Sequence, residues 1–332
     1  MSIVSPAFLT VLAVAAAAGW AGWRLPGRRA ARVALAATVL VTLACVASGV
    51  NAYFGYLPRM TDVANVLDGQ RDWPVARDAP GRVSRLAVPD SGTGIGASYA
   101  LVWLPPQYAR EPARRFPVLY LFHGSPGVPA DWFRGGQADL AAAALAAAGH
   151  PVIVVAPRLS RGWLDDPECT DGVVEKVRTH FVRDVVPTVD AHFRTVATRE
   201  GRAVGGMSAG GYCALNLGLR ERSLVSGILD LSGEVAPSHA GGLRAVYGSD
   251  LAAAAADSPS RYAATLPPSP ATRVWFDCGS SDTALLPGIR AVAGELARRG
   301  FTVRVTVRPG AHTFRVWRPA LREGMTWLYQ RS

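Results

Sequence analysis

Two uncharged apolar runs open the chain, Ile3 to Trp23 and Val33 to Leu57, of 21 and 25 residues. At about 1.5 Å rise per residue, either run, if helical, crosses the roughly 30 Å hydrocarbon layer of a bilayer. Between them, Arg24-Leu-Pro-Gly-Arg-Arg-Ala-Ala-Arg32 interrupts the pattern and carries four Arg. Cytoplasmic loops carry an excess of basic residues, so this connection belongs inside and everything after residue 60 outside. Trp20, Trp23, Tyr53 and Tyr56 stand where interfacial aromatics are expected. A cleaved signal peptide is the competing reading, but the first run lacks a basic start and a second full-length run follows it. Thr42-Leu-Ala-Cys45 only loosely matches a lipoprotein cleavage site, with Thr where an apolar residue is usual and at a late position.

From residue 80 the pattern changes to short apolar or alternating runs separated by amphipathic or small-residue stretches. Arg82 to Val88 and Ser98 to Leu104 alternate around the Gly/Ser-rich turn Ser91 to Gly96, which predicts an antiparallel hairpin. Val118 to Phe122 and Val152 to Ala156 are wholly apolar, as strands buried on both faces are. Arg202 to Gly206, Gly227 to Leu231, Val274 to Cys278 and Val303 to Val307 bring the number of expected strands to eight. The Ala-rich patches Ala141 to Ala148 and Ala252 to Ala256 and the stretch Pro287 to Arg299 read as helix. Such alternation predicts a mostly parallel sheet covered on both faces. Glu234 to Pro270 is too long for a simple crossover and reads as a small helical insertion. The expected layout is a two-helix membrane hairpin (1–60), a linker (61–80) and a catalytic domain (81–332).

The formal charge of +10 changes meaning once it is divided along the chain. Residues 1–60 hold five Arg and no acid, leaving 30 basic against 25 acidic residues beyond them. No basic run interleaved with aromatics follows the membrane segment, so nucleic acid is excluded as an expected partner. Of the four cysteines, Cys45 lies in a membrane run and Cys278 ends a strand. Cys169, in a Pro/Asp-rich loop, and Cys213 are left to form a disulfide outside the cytoplasm or to remain two buried thiols.

The chemistry concentrates at Gly206-Met-Ser-Ala-Gly210, a Gly-x-Ser-x-Gly sequence between an expected strand and helix. A nucleophile on so sharp a turn needs small neighbours, and Gly205, Gly211 and Ala214 keep the surroundings equally lean. A serine hydroxyl needs a base, itself oriented by a carboxylate. In the α/β-hydrolase order both follow the nucleophile, acid first. His312 comes directly after the eighth strand, whereas His239 falls in the insertion. Asp282 follows the seventh strand; Asp277 lies within it, and Glu234, after the sixth, is the alternative acid. The oxyanion needs two backbone donors. These are expected from Ala209 and from Ser125 in the loop His123-Gly-Ser-Pro-Gly127, which His123 shapes. No metal-ligand spacing, phosphate-binding Gly loop or dinucleotide fingerprint competes, so no cofactor and no metal are expected.

Together these residues resemble the esterase family that includes esterase D, enterochelin-type esterases and secreted mycolyltransferases. The resemblance covers about residues 80–330 and rests on Phe122-His-Gly-Ser, Gly206-Met-Ser-Ala-Gly-Gly211, Tyr247-Gly-Ser-Asp250, Asp257-Ser-Pro, Cys278-Gly-Ser-Ser-Asp282 and His312-Thr-Phe-Arg-Val-Trp317. With the membrane segment and Asn51-Ala-Tyr-Phe-Gly-Tyr56, it looks like a membrane-anchored actinobacterial branch. The resemblance implies an α/β-hydrolase fold and a Ser208, Asp282, His312 triad. It also implies a serine esterase acting on an envelope or extracellular acyl ester, a lipid or glycolipid being one such substrate, or an acyltransferase passing the acyl group to a sugar or lipid alcohol; it does not fix the substrate.

Overall fold

A computed structural model describes Ala17, residues 28–57 and residues 80–330 except 163–164, 167, 240 and 270. The first predicted span apart from Ala17, residues 24–27 of its Arg-rich connection and the linker up to residue 79 therefore lie outside the described residues. Helix α1 (Arg28–Phe54) contains a segment, Arg32–Phe54, long and apolar enough to cross a membrane, and it is the only such helix among the described residues. It ends short of the expected span, which ran to Leu57. It stops at Phe54, because Gly55 takes a left-handed φ of +66° and its N–H bonds back to the Asn51 carbonyl at 2.7 Å. Val33, Leu40 and Leu43 project outward with no protein over them.

Eight strands form one sheet: β1 (Arg82–Val88), β2 (Ser98–Leu104), β3 (Val118–Phe122), β4 (Ile153–Pro157), β5 (Arg202–Met207), β6 (Gly227–Leu231), β7 (Arg273–Gly279) and β8 (Thr302–Arg308). Their order is β1-β2-β4-β3-β5-β6-β7-β8. β1 and β2 form the predicted antiparallel hairpin, β2 runs antiparallel to β4, and all later neighbours are parallel. The expected fourth strand is displaced by one residue, since Pro157 still pairs with Ala100.

Side chains alternate across a strand, and the core divides accordingly. Val118, Tyr120 and Phe122 join one apolar cluster, whereas Leu119 and Leu121 join the other. The first is roofed by α3 (Ala209–Arg220), α4 (Leu286–Arg298) and the helical run Val177–His180, Phe181–Val185 and Val186–His192. The second is roofed by α2 (Ala138–Ala147) and α5 (Phe314–Tyr329). Between β6 and β7 lie three short helices, Arg244–Tyr247, Leu251–Ala256 and Pro259–Tyr262. β3 and β5 are adjacent although β4 separates them in sequence. Their carboxyl ends therefore open a crevice at the point where the strand order reverses, the usual place for a site in such sheets.

Candidate active site

Ser208 stands on the turn from β5 into α3 with φ 56° and ψ −127°. A non-glycine residue there costs about 1–3 kcal/mol, which the surroundings must over-determine. They do so with hydrogen bonds on both sides. The Ser208 N–H donates to the Leu231 carbonyl at 3.0 Å, and the Ser208 carbonyl accepts from the Gly211 and Tyr212 N–H groups at 2.7 and 3.1 Å. The flanking glycines are required by space. A Cβ on Gly206 would lie 1.8 Å from the Gly210 carbonyl oxygen, and one on Gly210 would lie 2.2 Å from that of Phe122.

Two loops from the far side of the sheet bring up His312 and Asp282. They leave the carboxyl ends of β8 and β7 and are laced together: Ser280 N–H donates to Arg308 O at 2.8 Å and Ser281 N–H to Gly310 O at 2.9 Å. With its Nδ1–H donated to Asp282 Oδ2 at 2.6 Å, the His312 ring leaves Nε2 to accept from the Ser208 hydroxyl at 2.8 Å. The edge of Trp317 meets the imidazole with ring centroids 4.8 Å apart and planes at 88°. The His312 side chain is 38% exposed, so the line opens to solvent at its centre.

The other candidate residues lie elsewhere or are otherwise engaged. Asp277 is fully buried and grips Arg308, accepting from Nε at 2.8 Å and Nη2 at 2.5 Å. Glu234 accepts from the Ser238 hydroxyl at 2.8 Å; burial first, then the nearby acids Asp166 and Asp282, holds its carboxyl above the usual range. His239 accepts the Gly241 N–H at 3.0 Å in an outer groove. His123 donates to the Gly124 carbonyl at 2.9 Å, and burial depresses its basicity. The loop His123–Gly127 crosses over the nucleophile, so that a Cβ on Gly124 would come 3.4 Å from Ser208 Cβ. Ser125 and Ala209 line one narrow cavity beside it.

That cavity is also walled by Asp165, Asp166 and Glu168, which the sequence reading used only as context for a cysteine. A disulfide between Cys169 and Cys213 fastens this acidic loop to α3. Burial, then repulsion from Asp166, pushes the Glu168 carboxyl up to about 8, so it is largely protonated at neutral pH. Asp230, fully buried beneath the turn, is raised to about 7 by burial, although its Oδ1 accepts the Gly233 N–H at 2.7 Å. The signal available for the loop was a run of acids in a basic chain.

A second Ser···His···Asp line lies outside this site. His180 Nδ1–H donates to Asp184 Oδ2 at 2.7 Å, and the Ser98 hydroxyl donates to His180 Nε2 at 3.1 Å. With Asp90, these residues form the only group among those described that brings three candidate metal-ligand atoms within 4.8 Å of one another. Each is already spoken for: His180 as above, Asp184 additionally by the Ser91 N–H at 3.3 Å, and Asp90 by the N–H groups of Thr93 and Gly96 at 2.7 and 2.9 Å. No metal is assigned there.

Comparison with known proteins adds three findings. A family model described as "Putative esterase" matches residues 97–328. An uncharacterised protein of Corynebacterium glutamicum is 29% identical over 253 residues, covering 73% of this chain and 59% of that protein. An esterase of Mycobacterium tuberculosis is 31% identical over 257 residues, 64% of this chain and 52% of the relative, so the chain spans little more than half the length of these relatives. Among solved structures, a ferulic acid esterase superposes with a TM-score of 0.66 at 21% identity, covering 76% of this chain and 99% of that one. An S-formylglutathione hydrolase from Agrobacterium tumefaciens superposes at 0.64 and 17% identity, covering 76% and 95%. At these identities the structural matches speak for the fold alone.

Proposed function

The chain belongs to the esterase family whose model spans residues 97–328, and on that premise we propose that it is a serine carboxylic-ester hydrolase with Ser208 as nucleophile, His312 as base and Asp282 as orienting acid. The observation that carries this reading is the continuous line from Asp282 through His312 to a hydroxyl on a positive-φ turn. His312 Nε2 takes the Ser208 proton as Oγ bonds to the ester carbonyl carbon. The backbone N–H groups of Ala209 and Ser125 receive the developing oxyanion. Collapse breaks the acyl–oxygen bond, the departing alcohol takes the proton from His312, and an acyl-enzyme remains. Water activated by the same imidazole then releases the acid and restores Ser208.

An acyl acceptor other than water would complete the same cycle as a transferase. The feature favouring it is the wall of Asp165, Asp166 and Glu168 beside Ser208, which offers carboxyl oxygens to the hydroxyls of an alcohol. Product analysis with and without sugar or lipid alcohols separates the two readings: a transferred acyl group means transfer, and free acid alone means hydrolysis.

The proposal includes a location. Residues 1–60 form a two-helix membrane hairpin, 61–80 a linker and 81–332 the catalytic domain, facing outside, with an acyl ester of a lipid or glycolipid as the substrate class. The apolar helix Arg32–Phe54 and the Arg residues before it support this. A reporter active only outside the membrane, fused at Ser332, is expected to work, and one fused near Pro26 is not; the opposite pattern rejects the orientation. The catalytic assignment is tested by short-chain ester cleavage with Ser208→Ala, which should lower turnover by about 10⁴ or more.

A further inference from the structure

The segment that leaves the apolar helix does not hang free. Asn51 holds it from within the last turn: its Nδ2 donates to the Leu57 carbonyl at 2.9 Å, and its Oδ1 accepts the Leu57 N–H at 2.7 Å. Together with the left-handed Gly55, this turns the chain back toward the catalytic body. Gly55 lies so near α5 that a Cβ there would come 3.1 Å from Arg315 Cγ. Arg318 clamps the approach, donating Nη2–H to the Gly55 carbonyl and Nε–H to the Gly135 carbonyl, both at 2.8 Å.

Tyr56 then reaches two parts of the site at once. Its hydroxyl donates to Oδ1 of Asp131, a carboxylate only 5% exposed. The other oxygen of Asp131 accepts the Val128 N–H at 2.9 Å and sits 3.0 Å from where Gly127 would carry a Cβ. Asp131 thus braces the returning end of the loop that carries Ser125. The Tyr56 ring packs on Phe314 with centroids 5.5 Å apart, Phe314 on Trp317 at 5.2 Å, and Trp317 on His312 at 4.8 Å. Phe314 is seated against the backbone, since a Cβ on Gly135 would collide with its ring at 2.6 Å.

From this arrangement we propose that Tyr56 is a positioning residue for both halves of the catalytic machinery, setting the oxyanion loop through Asp131 and the plane of the His312 imidazole through Phe314 and Trp317. The inference rests on the catalytic reading of Ser208 and His312 given above. Its physical basis is that neither half is fixed by local structure alone. The loop depends on a buried carboxylate whose hydrogen bonds must be met. The imidazole depends on an edge-to-face ring contact at one side. The membrane-proximal residue touches both supports, so the chain's entry into the body and the alignment of its chemistry are one structure.

The test uses the full-length protein in detergent or lipid, with turnover of a short-chain ester expressed per active site titrated by a fluorophosphonate. Tyr56→Ala is expected to lower kcat about 10- to 100-fold, the scale of a misplacement near 1 Å. KM should stay within about twofold, the signature of an interaction felt in the transition state rather than in binding. The acid limb of the kcat–pH profile should move, because the surroundings of the imidazole change. Tyr56→Phe keeps the ring but not the hydroxyl and should fall between, about three- to tenfold below the native protein, given a lost bond to a buried carboxylate. Tyr53→Ala, altering an exposed aromatic of the same helix end, should leave all readouts unchanged. Native kcat and an unmoved pH profile in Tyr56→Ala would overturn the proposal, as would a loss wholly accounted for by fewer titratable sites. If Tyr56→Ala yields no titratable enzyme, Tyr56→Phe decides, and its superposition on the native profile overturns the proposal. Turnover persisting in Ser208→Ala would instead reject the catalytic reading, a distinct result.

Discussion

The molecule holds the same three side chains in the same hydrogen-bonded order twice, and the two regions that hold them could hardly differ more. In the line Ser208–His312–Asp282 the serine stands on a positive-φ turn, at the start of a 12-residue helix and at the carboxyl end of a parallel strand. In the line Ser98–His180–Asp184 the serine opens β2, a strand near the antiparallel edge of the sheet, and the imidazole is fully buried in a helical run. One His side chain is 38% exposed and the other 0%. Next to the first line in the chain, Ala209 and Gly210 line a cavity together with Ser125. The second ties the β1–β2 turn to the helix behind it, since Asp184 and Asp90 bond the turn's own N–H groups. Three residue types and two short distances therefore do not make a catalytic site. What sets the proposed site apart is a hydroxyl on a positive-φ turn at the carboxyl end of a strand, beside a cavity lined by Ala209 and Ser125.

The largest expected effects test that contrast directly. Ser208→Ala or His312→Ala should lower turnover by about 10⁴ or more, leaving only what oxyanion stabilisation and binding supply. Ser98→Ala should leave turnover per folded molecule within about twofold, as for surface or supporting groups outside the site. A collapse of turnover in Ser98→Ala with Ser208→Ala still active would invert the comparison.

Next in size is the bridge that fastens the acidic loop to α3. Cys169 and Cys213 are 44 residues apart in sequence, and closing such a loop is worth about 4 kcal/mol in the chain-entropy model. Reduction, or Cys169→Ser with Cys213→Ser, should lower the unfolding midpoint in urea and shift activity toward poorer discrimination among alcohol groups. An unchanged midpoint would mean the bridge contributes nothing to the folded state.

On the structural side of the comparison, His180→Ala should cost about 3 kcal/mol, because it strands a buried carboxylate. Urea unfolding is the measurement, and kcat per titrated site should not change. A loss of kcat at full occupancy would show that this line reaches the chemistry after all.

The smallest effect is a slope. Asp230 has a folded pKa of about 7, above that of an unfolded carboxyl. Between those values the native state holds a proton that the unfolded state has released, so stability must fall as pH rises from about 4 to 7. Glu168, raised to about 8, acts in the same direction. Asp230→Asn stays neutral throughout and should flatten that part of the stability–pH curve. An undiminished slope would shift the responsibility to Glu168 and its neighbours.

What the sequence made legible is what neighbouring residues decide together. Val118 to Phe122 is apolar at every position and became a strand buried throughout. The Gly206–Gly210 pentapeptide carries its own steric requirement, and the order of acid and base along the chain singled out His312 and Asp282 over His239 and Asp277. What stayed hidden depends on distant partners. Tyr56 and Asp131 are 75 residues apart, and Ser98 and His180 are 82. Nothing local to Tyr56 distinguishes it from Tyr53, which the sequence equally marks as an expected interfacial aromatic. The acids of the loop at Asp165, Asp166 and Glu168 gain meaning only from the sheet they are folded against.

The lacing between the loops after β7 and β8 has a consequence for how such a site can change. Two backbone bonds make the proposed acid and base a single cassette, with their mutual spacing built in. The proposed nucleophile and oxyanion donors belong to another, built on β3, β5 and the helix that follows. The two cassettes meet where His312 reaches the Ser208 hydroxyl and where Phe314 seats against Gly135. Substrate preference can therefore drift through the walls of the second cassette without disturbing the first, whereas an insertion between Gly279 and Gly310 that broke the lacing would unseat acid and base together. Recombination with a related protein should succeed when the crossover leaves 279–312 whole, and fail when it divides that stretch.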